Sequence, residues 1–294
     1  MGAPGLDFET WDSTNPNRSL VNGVTMKARW SSILLIAVSF VVSLHAQSNQ
    51  ITGIAHIAYR ATDLDKEVAF FQKLGFEQAF ANTSPDGKVT QSFIKVNDRQ
   101  FIEIYPQSKP GEATGWMHVC YESGDLNALY ATLDAHGLKP SAVRKAGAGN
   151  LLSVLNDPEG RVTEFTQYMP GSRHTLDQGK HLGEHRVSDL MAGFELPVPD
   201  IETARKFYVS GMGFEASEAR GGLRFTTPGA PDMRIQIRTA AGDAKPSTIF
   251  RVTDIAAAAK QLQAVGLNVT QERNRVVVTD PDGNVFAFVV PRAQ

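Results

Sequence analysis

Histidine opens two similar phrases in this chain, "HIAYRATDL" at 56–64 and "HVCYESGDL" at 118–126. His56 and His118 each stand seven residues before an aspartate, Asp63 and Asp125. Downstream of each phrase lies a glutamate in a strand-like run, Glu103 in "QFIEIYP" and Glu164 in "RVTEFTQY". Side chains alternate along a strand, so Phe101, Glu103 and Tyr105 share one face, as do Val162, Glu164 and Thr166. A glutamate flanked by apolar and aromatic groups is costly to bury alone. Two imidazoles and two carboxylates brought together can hold a divalent cation, cancel its charge and leave two octahedral positions for water or substrate oxygens. A lone strand histidine is more often a core or edge residue; its recurrence at the same point of two related units favours a ligand.

The neighbours of these four residues are candidate substrate contacts. Cys120 and Arg60 fall on the faces of His118 and His56 by the period of two, where Arg60 could meet an anion and Cys120 could line a pocket. A buried inert thiol and a solvated strand-end arginine are the competing readings. Tyr105 and Thr166 flank the glutamates and could orient substrate or simply pack. "HLGEH" at 181–185 fits the His-x-x-Glu-His pattern of inverted zinc peptidases, but Gly183 weakens any helix that would carry it. His174 falls in a polar linker.

The elements that must position the four residues repeat as well. From residue 51 the chain reads as four βαβββ units with a period of roughly 50–65 residues. In the first, a strand over "GIAHIAYR" leads to Asp63 as a helix N-cap. Leu64, Val68, Phe71 and Leu74 then follow at helical spacing, Gly75 stops the helix, and three strand-like runs complete the unit. Aligned on Asp200 and Asp254, the third and fourth units carry Gly193, Gln236, Ser247 and Ala287 where the first two carry His56, Glu103, His118 and Glu164. None of those is a good metal ligand. The expected organisation is a metal-binding domain over 51–170, a linker over 171–187 and a degenerate domain without ligands over 188–294.

The βαβββ repeat, the His-x-x-Tyr-x-x-x-Asp-Leu openings, "FFQKLGF" and the "DPEGRVTEF" ending resemble the vicinal oxygen chelate superfamily of glyoxalases, bleomycin-resistance proteins, epimerases and extradiol dioxygenases. The resemblance covers about residues 51–292. It implies an α+β fold in which paired modules curl mixed sheets into a cup. The cup would hold one divalent ion (Ni, Co, Zn, Mn or Fe) on His56, Glu103, His118 and Glu164. It further implies a lyase or isomerase that chelates a small substrate through neighbouring oxygens, with Glu103 or Glu164 as the catalytic proton carrier. An iron-dependent extradiol dioxygenase would instead use His56, His118 and Glu164 as a facial triad. A ligand-sequestering protein of the bleomycin-resistance kind is the non-catalytic alternative, and such relatives typically lack the metal set.

Composition narrows the partners. With 294 residues, 42% hydrophobic and a formal charge of −2, the chain is globular and gives no electrostatic reason to expect nucleic acid. A single cysteine excludes an internal disulfide framework. Lys27 and Arg29, the apolar run "SSILLIAVSFVVSL" and the small polar "HAQSNQ" have the layout of a secretory signal peptide over 26–46, with 1–25 as a misassigned upstream extension. The expected product is periplasmic or secreted with no membrane span after cleavage, a retained anchor being the alternative. Its partners are a small-molecule substrate and, as an open option, a second copy in a homodimer.

Overall fold

A computed structural model describes residues 50–290 apart from 228, 241–243 and 273. The expected signal segment 26–46 and extension 1–25 lie outside the described residues. The first half runs β1 (Ile51–Ala61), α1 (Leu64–Lys73), β2 (Glu77–Thr83), β3 (Val89–Asn97) and β4 (Gln100–Pro106). It repeats as β5 (Gly115–Ser123), α2 (Leu126–Ala135), β6 (Arg144–Lys145), β7 (Leu151–Asn156) and β8 (Val162–Gln167). After a short helix α3 (Arg173–Leu176), the second half runs β9 (Met191–Val198), α4 (Ile201–Arg205), β10 (Glu215–Ala219), β11 (Gly222–Thr227) and β12 (Ala230–Thr239). It closes with β13 (Ser247–Arg251), α5 (Ile255–Ala264), β14 (Thr270–Glu272), β15 (Arg275–Thr279) and β16 (Val285–Val289). The fold is α+β, built from four βαβββ modules as the repeats imply.

Each half is one eight-stranded mixed sheet, ordered β2-β3-β4-β1-β5-β8-β7-β6 and β10-β11-β12-β9-β13-β16-β15-β14. The opening strands β1 and β5 lie antiparallel at the centre, each flanked by the parallel closing strand of its own module, β4 or β8. Four adjacent strands, β4, β1, β5 and β8, therefore carry Glu103, His56, His118 and Glu164.

The repeated aspartates explain the helix starts. Asp63, Asp125, Asp200 and Asp254 are all N-caps, each accepting a hydrogen bond from a backbone N–H two or three residues on. Three of the helices reach a positive-φ glycine twelve residues after the cap, at Gly75, Gly137 and Gly266. In the third module the distance from Asp200 to Gly213 is thirteen. The extra residue is absorbed by a π-helical turn over Lys206–Gly211, where a single continuous helix reads from the sequence.

The face of β1 opposite His56 carries Ile57 and Tyr59, and these enter one core that runs through both halves. The Tyr59 hydroxyl lies 2.6 Å from Thr248 Oγ1, and Phe286 packs on Tyr59, Phe70 and Phe71. Trp116 and Tyr121 pack on Phe194. Each half thus covers apolar surface of the other.

The segment expected to be a plain linker is built into the first half. Arg173 donates to Asn82 Oδ1 and the Ala81 carbonyl at 2.5 and 2.9 Å. Lys95, fully buried, donates to the Asp177 carbonyl and carboxylate at 2.5 and 2.9 Å. Gly75, at φ +81°, leaves room for the returning chain: a Cβ there would collide with the His185 carbonyl. Among the described residues no helix is long and apolar enough to cross a membrane.

Glu67 of α1 is buried at 1% exposure, and neither of its carboxylate oxygens meets a donor. Burial and the facing Asp280 and Asp282 of the second half push its pKa up to about 10. The folded protein then keeps a proton that the unfolded chain releases above its ordinary 4.5, so stability falls as pH rises from about 4.5 to 10. Glu67→Gln should flatten this dependence, gaining on the wild type by up to about 1.4 kcal/mol per pH unit across that window. Denaturant unfolding at pH 5, 7 and 9 checks it; parallel profiles for the two proteins would contradict it.

Candidate metal centre

On the face of the first sheet opposite the core, three donor atoms meet. His56 Nε2 and His118 Nε2 are 3.1 Å apart, and Glu164 Oε2 lies 3.5 Å from each. Divalent ions of the zinc type sit about 2.1 Å from such donors, which at tetrahedral to right angles are then about 3.0–3.4 Å apart. The triangle therefore fits a cation on one of its faces, and His56, His118 and Glu164 are the one such His/Cys/carboxylate group among the described residues. Two imidazole nitrogens facing each other at this distance also leave two lone pairs opposed unless a proton or a cation lies between them.

Glu103 stands beside this trio rather than in it. Its Oε1 is 3.3 Å from His56 Nδ1, while Oε2 accepts from Gln91 Nε2 at 2.6 Å and from the Tyr105 hydroxyl at 3.0 Å. A carboxylate on Nδ1 favours the tautomer whose Nε2 lone pair faces the other ligands. Of the four residues expected as ligands, three thus bring their donor atoms within 4.8 Å of one another, and Glu103 lies beside them on His56 Nδ1. Gln91, which holds Glu103, was not singled out by its sequence, although it lies on the strand next to β4.

The two carboxylates sit in unlike fields. Burial raises the Glu103 pKa, with the neighbouring Glu164 charge adding to it against the pull of His56, Tyr105 and Gln91. Burial also acts to raise Glu164, but the His56 hydrogen bond and the His118 and His56 charges outweigh it and hold the group low. Burial pushes His118 down to about 4. For His56 burial acts downward too, yet the Glu103 charge, the Cys120 contact and the Glu164 hydrogen bond leave it well above its ordinary value.

A cavity of about 230 Å³ opens on the site. Tyr105 and Thr166 line it. Thr166 donates its hydroxyl to the Leu151 carbonyl at 2.9 Å. Cys120 is fully buried against His56, and burial pushes its thiol up to about 11, so it stays protonated and off the cavity wall. Arg60 also lies off the wall: it is tied to Glu112 at 3.4 Å and to the Ala113 carbonyl. The arginine that does face the cavity is Arg144 on β6, whose charge acts on Glu164. Its strand is only two residues long, too short for a periodicity signal.

His174 lines the cavity as well and is buried, not lodged in a solvated linker. Phe80, Phe93, Phe101 and Tyr168 surround its ring, and burial pushes its pKa down to about 3. Asn150 Oδ1 accepts from Met169 N, so Asn150 Nδ2 donates to His174 Nδ1 at 2.9 Å. The proton is then on Nε2, which has no acceptor among the described residues. His181 of "HLGEH" is on no helix and pairs with Asp177 at 2.6 Å. In the second half the ligand positions hold Gly193, Gln236, Ser247 and Ala287, and a Cβ at Gly193 would collide with the Arg234 carbonyl.

One divalent ion per chain is therefore the expected stoichiometry, with His118→Ala and Glu164→Gln each abolishing tight binding. Because His56 must give up its proton to the ion, affinity should rise about tenfold per pH unit through neutrality. Titration of the full chain with Mn²⁺ or Co²⁺ at several pH values checks both; two sites per chain, or undiminished binding in His118→Ala, would contradict this geometry.

Comparison with known proteins agrees with this architecture. The chain can be superposed on the 2,3-dioxygenase LapB from Pseudomonas sp. KL28 with a TM-score of 0.66 at 15% identity, covering 84% of this chain and 94% of that one. The Mn(II)-bound glyoxalase from Novosphingobium aromaticivorans gives a TM-score of 0.64 at 16% identity, with 82% of each chain covered. At those identities the likeness is one of fold. Lactoylglutathione lyase of Schizosaccharomyces pombe is 24% identical over 132 residues, spanning 38% of this chain and less than half, 44%, of that protein. The sequence matches one family over residues 53–165 and again over 190–288, once for each half. With both halves matched and the fold shared, this chain belongs to the Glyoxalase/Bleomycin resistance protein/Dioxygenase superfamily.

Proposed function

We propose that this protein is a metal-dependent lyase or isomerase that moves a proton on a small substrate bearing neighbouring oxygens. The observation that carries this reading is Glu103, a buried carboxylate held next to the His56, His118 and Glu164 trio by Gln91 and Tyr105. A divalent cation on the trio would supply Lewis acidity toward the substrate oxygens.

The remaining work falls to the protein's own side chains. Glu103 accepts the substrate proton, and its burial among aromatic groups favours the neutral form it then takes. Gln91 and Tyr105 donate to its Oε2 while His56 Nδ1 lies 3.3 Å from Oε1, so the carboxylate is held in place on both oxygens. Arg144 faces the cavity beside Glu164 and would anchor an anionic group of the substrate. A cavity of about 230 Å³ suits a small substrate better than a tripeptide conjugate. The charged, apolar and small-residue order of 26–46 supports a periplasmic or secreted site of action.

One observation favours a second reading. The three ligand atoms that meet are two imidazoles and one carboxylate, the donor set of non-haem iron oxygenases. An extradiol-type dioxygenase would need no proton carrier at Glu103.

The variants separate these readings once a substrate is in hand. Glu103→Gln should keep its metal and lose about 10²–10⁴-fold in turnover, the usual worth of a general base. Arg144→Gln should raise KM about tenfold with kcat little changed. Near-normal turnover in Glu103→Gln, together with native iron, would favour the dioxygenase, and equal metal loss in Glu103→Gln and Glu164→Gln would remove the proposed division of labour.

A further inference from the structure

The second half lost the ligands of the first but kept the cup. Its cavity measures about 940 Å³, some four times that of the first half. The bed is in part apolar, with Ile249, Ala287 and Val289. The walls are not: six arginines line them against three carboxylates.

Those arginines are arranged rather than scattered. Arg224 on β11 lies opposite Gln236 on β12, and Arg238 lies opposite Gly222, so the two guanidinium-bearing residues are diagonal neighbours on one sheet face. Residues so placed are about 7–8 Å apart, within reach of each other's long side chains, so both guanidinium groups can address one ligand. Glu195, buried on the neighbouring strand β9, pairs with Arg238 and still leaves Arg238 Nε buried without a partner. Arg224, half-buried on the wall, and Arg220 at the rim have no partner among the described residues. Unpaired guanidinium groups above an apolar bed are the complement of an organic body with anionic substituents. Their planar forks bind carboxylate and phosphate alike.

We propose that the cup of the second half binds a small organic molecule carrying two or more separated anionic groups, held by Arg224 and Arg238 on the wall and Arg220 at the rim. The site is distinct from the metal centre and needs no metal.

Calorimetric titration of the full chain with benzene-1,3,5-tricarboxylate and with fructose 1,6-bisphosphate, at fixed ionic strength, tests this. Either probe could also reach the metal centre through a single carboxylate or phosphate, so the arginine variants, and not saturation alone, assign the binding to the second cup. One probe or both should bind saturably at one per chain, and the one that binds more tightly tells a polycarboxylate site from a polyphosphate site. The double variant Arg220→Gln with Arg224→Gln should weaken binding at least about tenfold. Removing the same charge from exposed helix lysines, Lys66→Gln with Lys73→Gln, should leave it unchanged. Circular dichroism confirms the fold, and Arg220→Gln alone, in an exposed turn, serves if the double variant fails to fold. No saturable binding of either probe, or equal weakening by the arginine and lysine variants, would overturn the proposal.

Discussion

Two carboxylates and two imidazoles share the buried centre of the first sheet, and elementary electrostatics does not let them rest there unassisted. Glu103 is 4% exposed and has the Glu164 charge nearby, while His56 and His118 oppose their nitrogens at 3.1 Å. Desolvation penalises every charge in this set, and mutual pairing compensates only part of that cost. The structure meets the demand with hydrogen bonds from Gln91 and Tyr105, and its donor geometry meets it further by suiting a cation. Much of the surrounding architecture serves this arrangement. Four adjacent central strands deliver one residue each, and the α3 segment closes over the same face with Arg173, His174 and the Lys95–Asp177 pair.

The second half shows what is left when that demand is absent. Strand order, aspartate caps and terminal glycines persist, because they serve a core that both halves share through Tyr59, Phe194 and Phe286. The ligand positions are free to drift, since they face away from that core. At Gly193 the drift has gone past simple reversal: the β12 backbone lies where a side chain would start. Fold and site are thus held by different residues on opposite faces of the same strands, so one architecture can carry a metal centre in one half and an arginine-lined cup in the other.

Much of this was legible before any coordinates. The alternation in "QFIEIYP" puts Glu103 on one face, and the seven-residue spacing to Asp63 and Asp125 aligns His56 with His118, because strand period and N-cap chemistry are local rules. What escaped depends on partners distant in sequence. Residues 171–187 are polar, yet they fold onto the sheet because Lys95 and Asn82 offer partners some ninety residues away. Arg60 shares the face of His56 by period but sits at the strand end, where Glu112 captures it, while Arg144 reaches the cavity from a strand too short to announce itself. The one-residue excess between Asp200 and Gly213 was visible as a count, and only the backbone shows it resolved as a π-helical turn.

The central claim is that one cation sits among His56, His118 and Glu164, with Glu103 beside them, and that the second half holds none. An anomalous difference map from crystals of the full chain loaded with Mn²⁺ or Co²⁺ tests it most directly. A single peak per chain within bonding reach of His56 Nε2, His118 Nε2 and a Glu164 oxygen is the predicted result. A peak on His56 Nδ1, a second peak in the other half, or no peak in protein that retains its fold would contradict it.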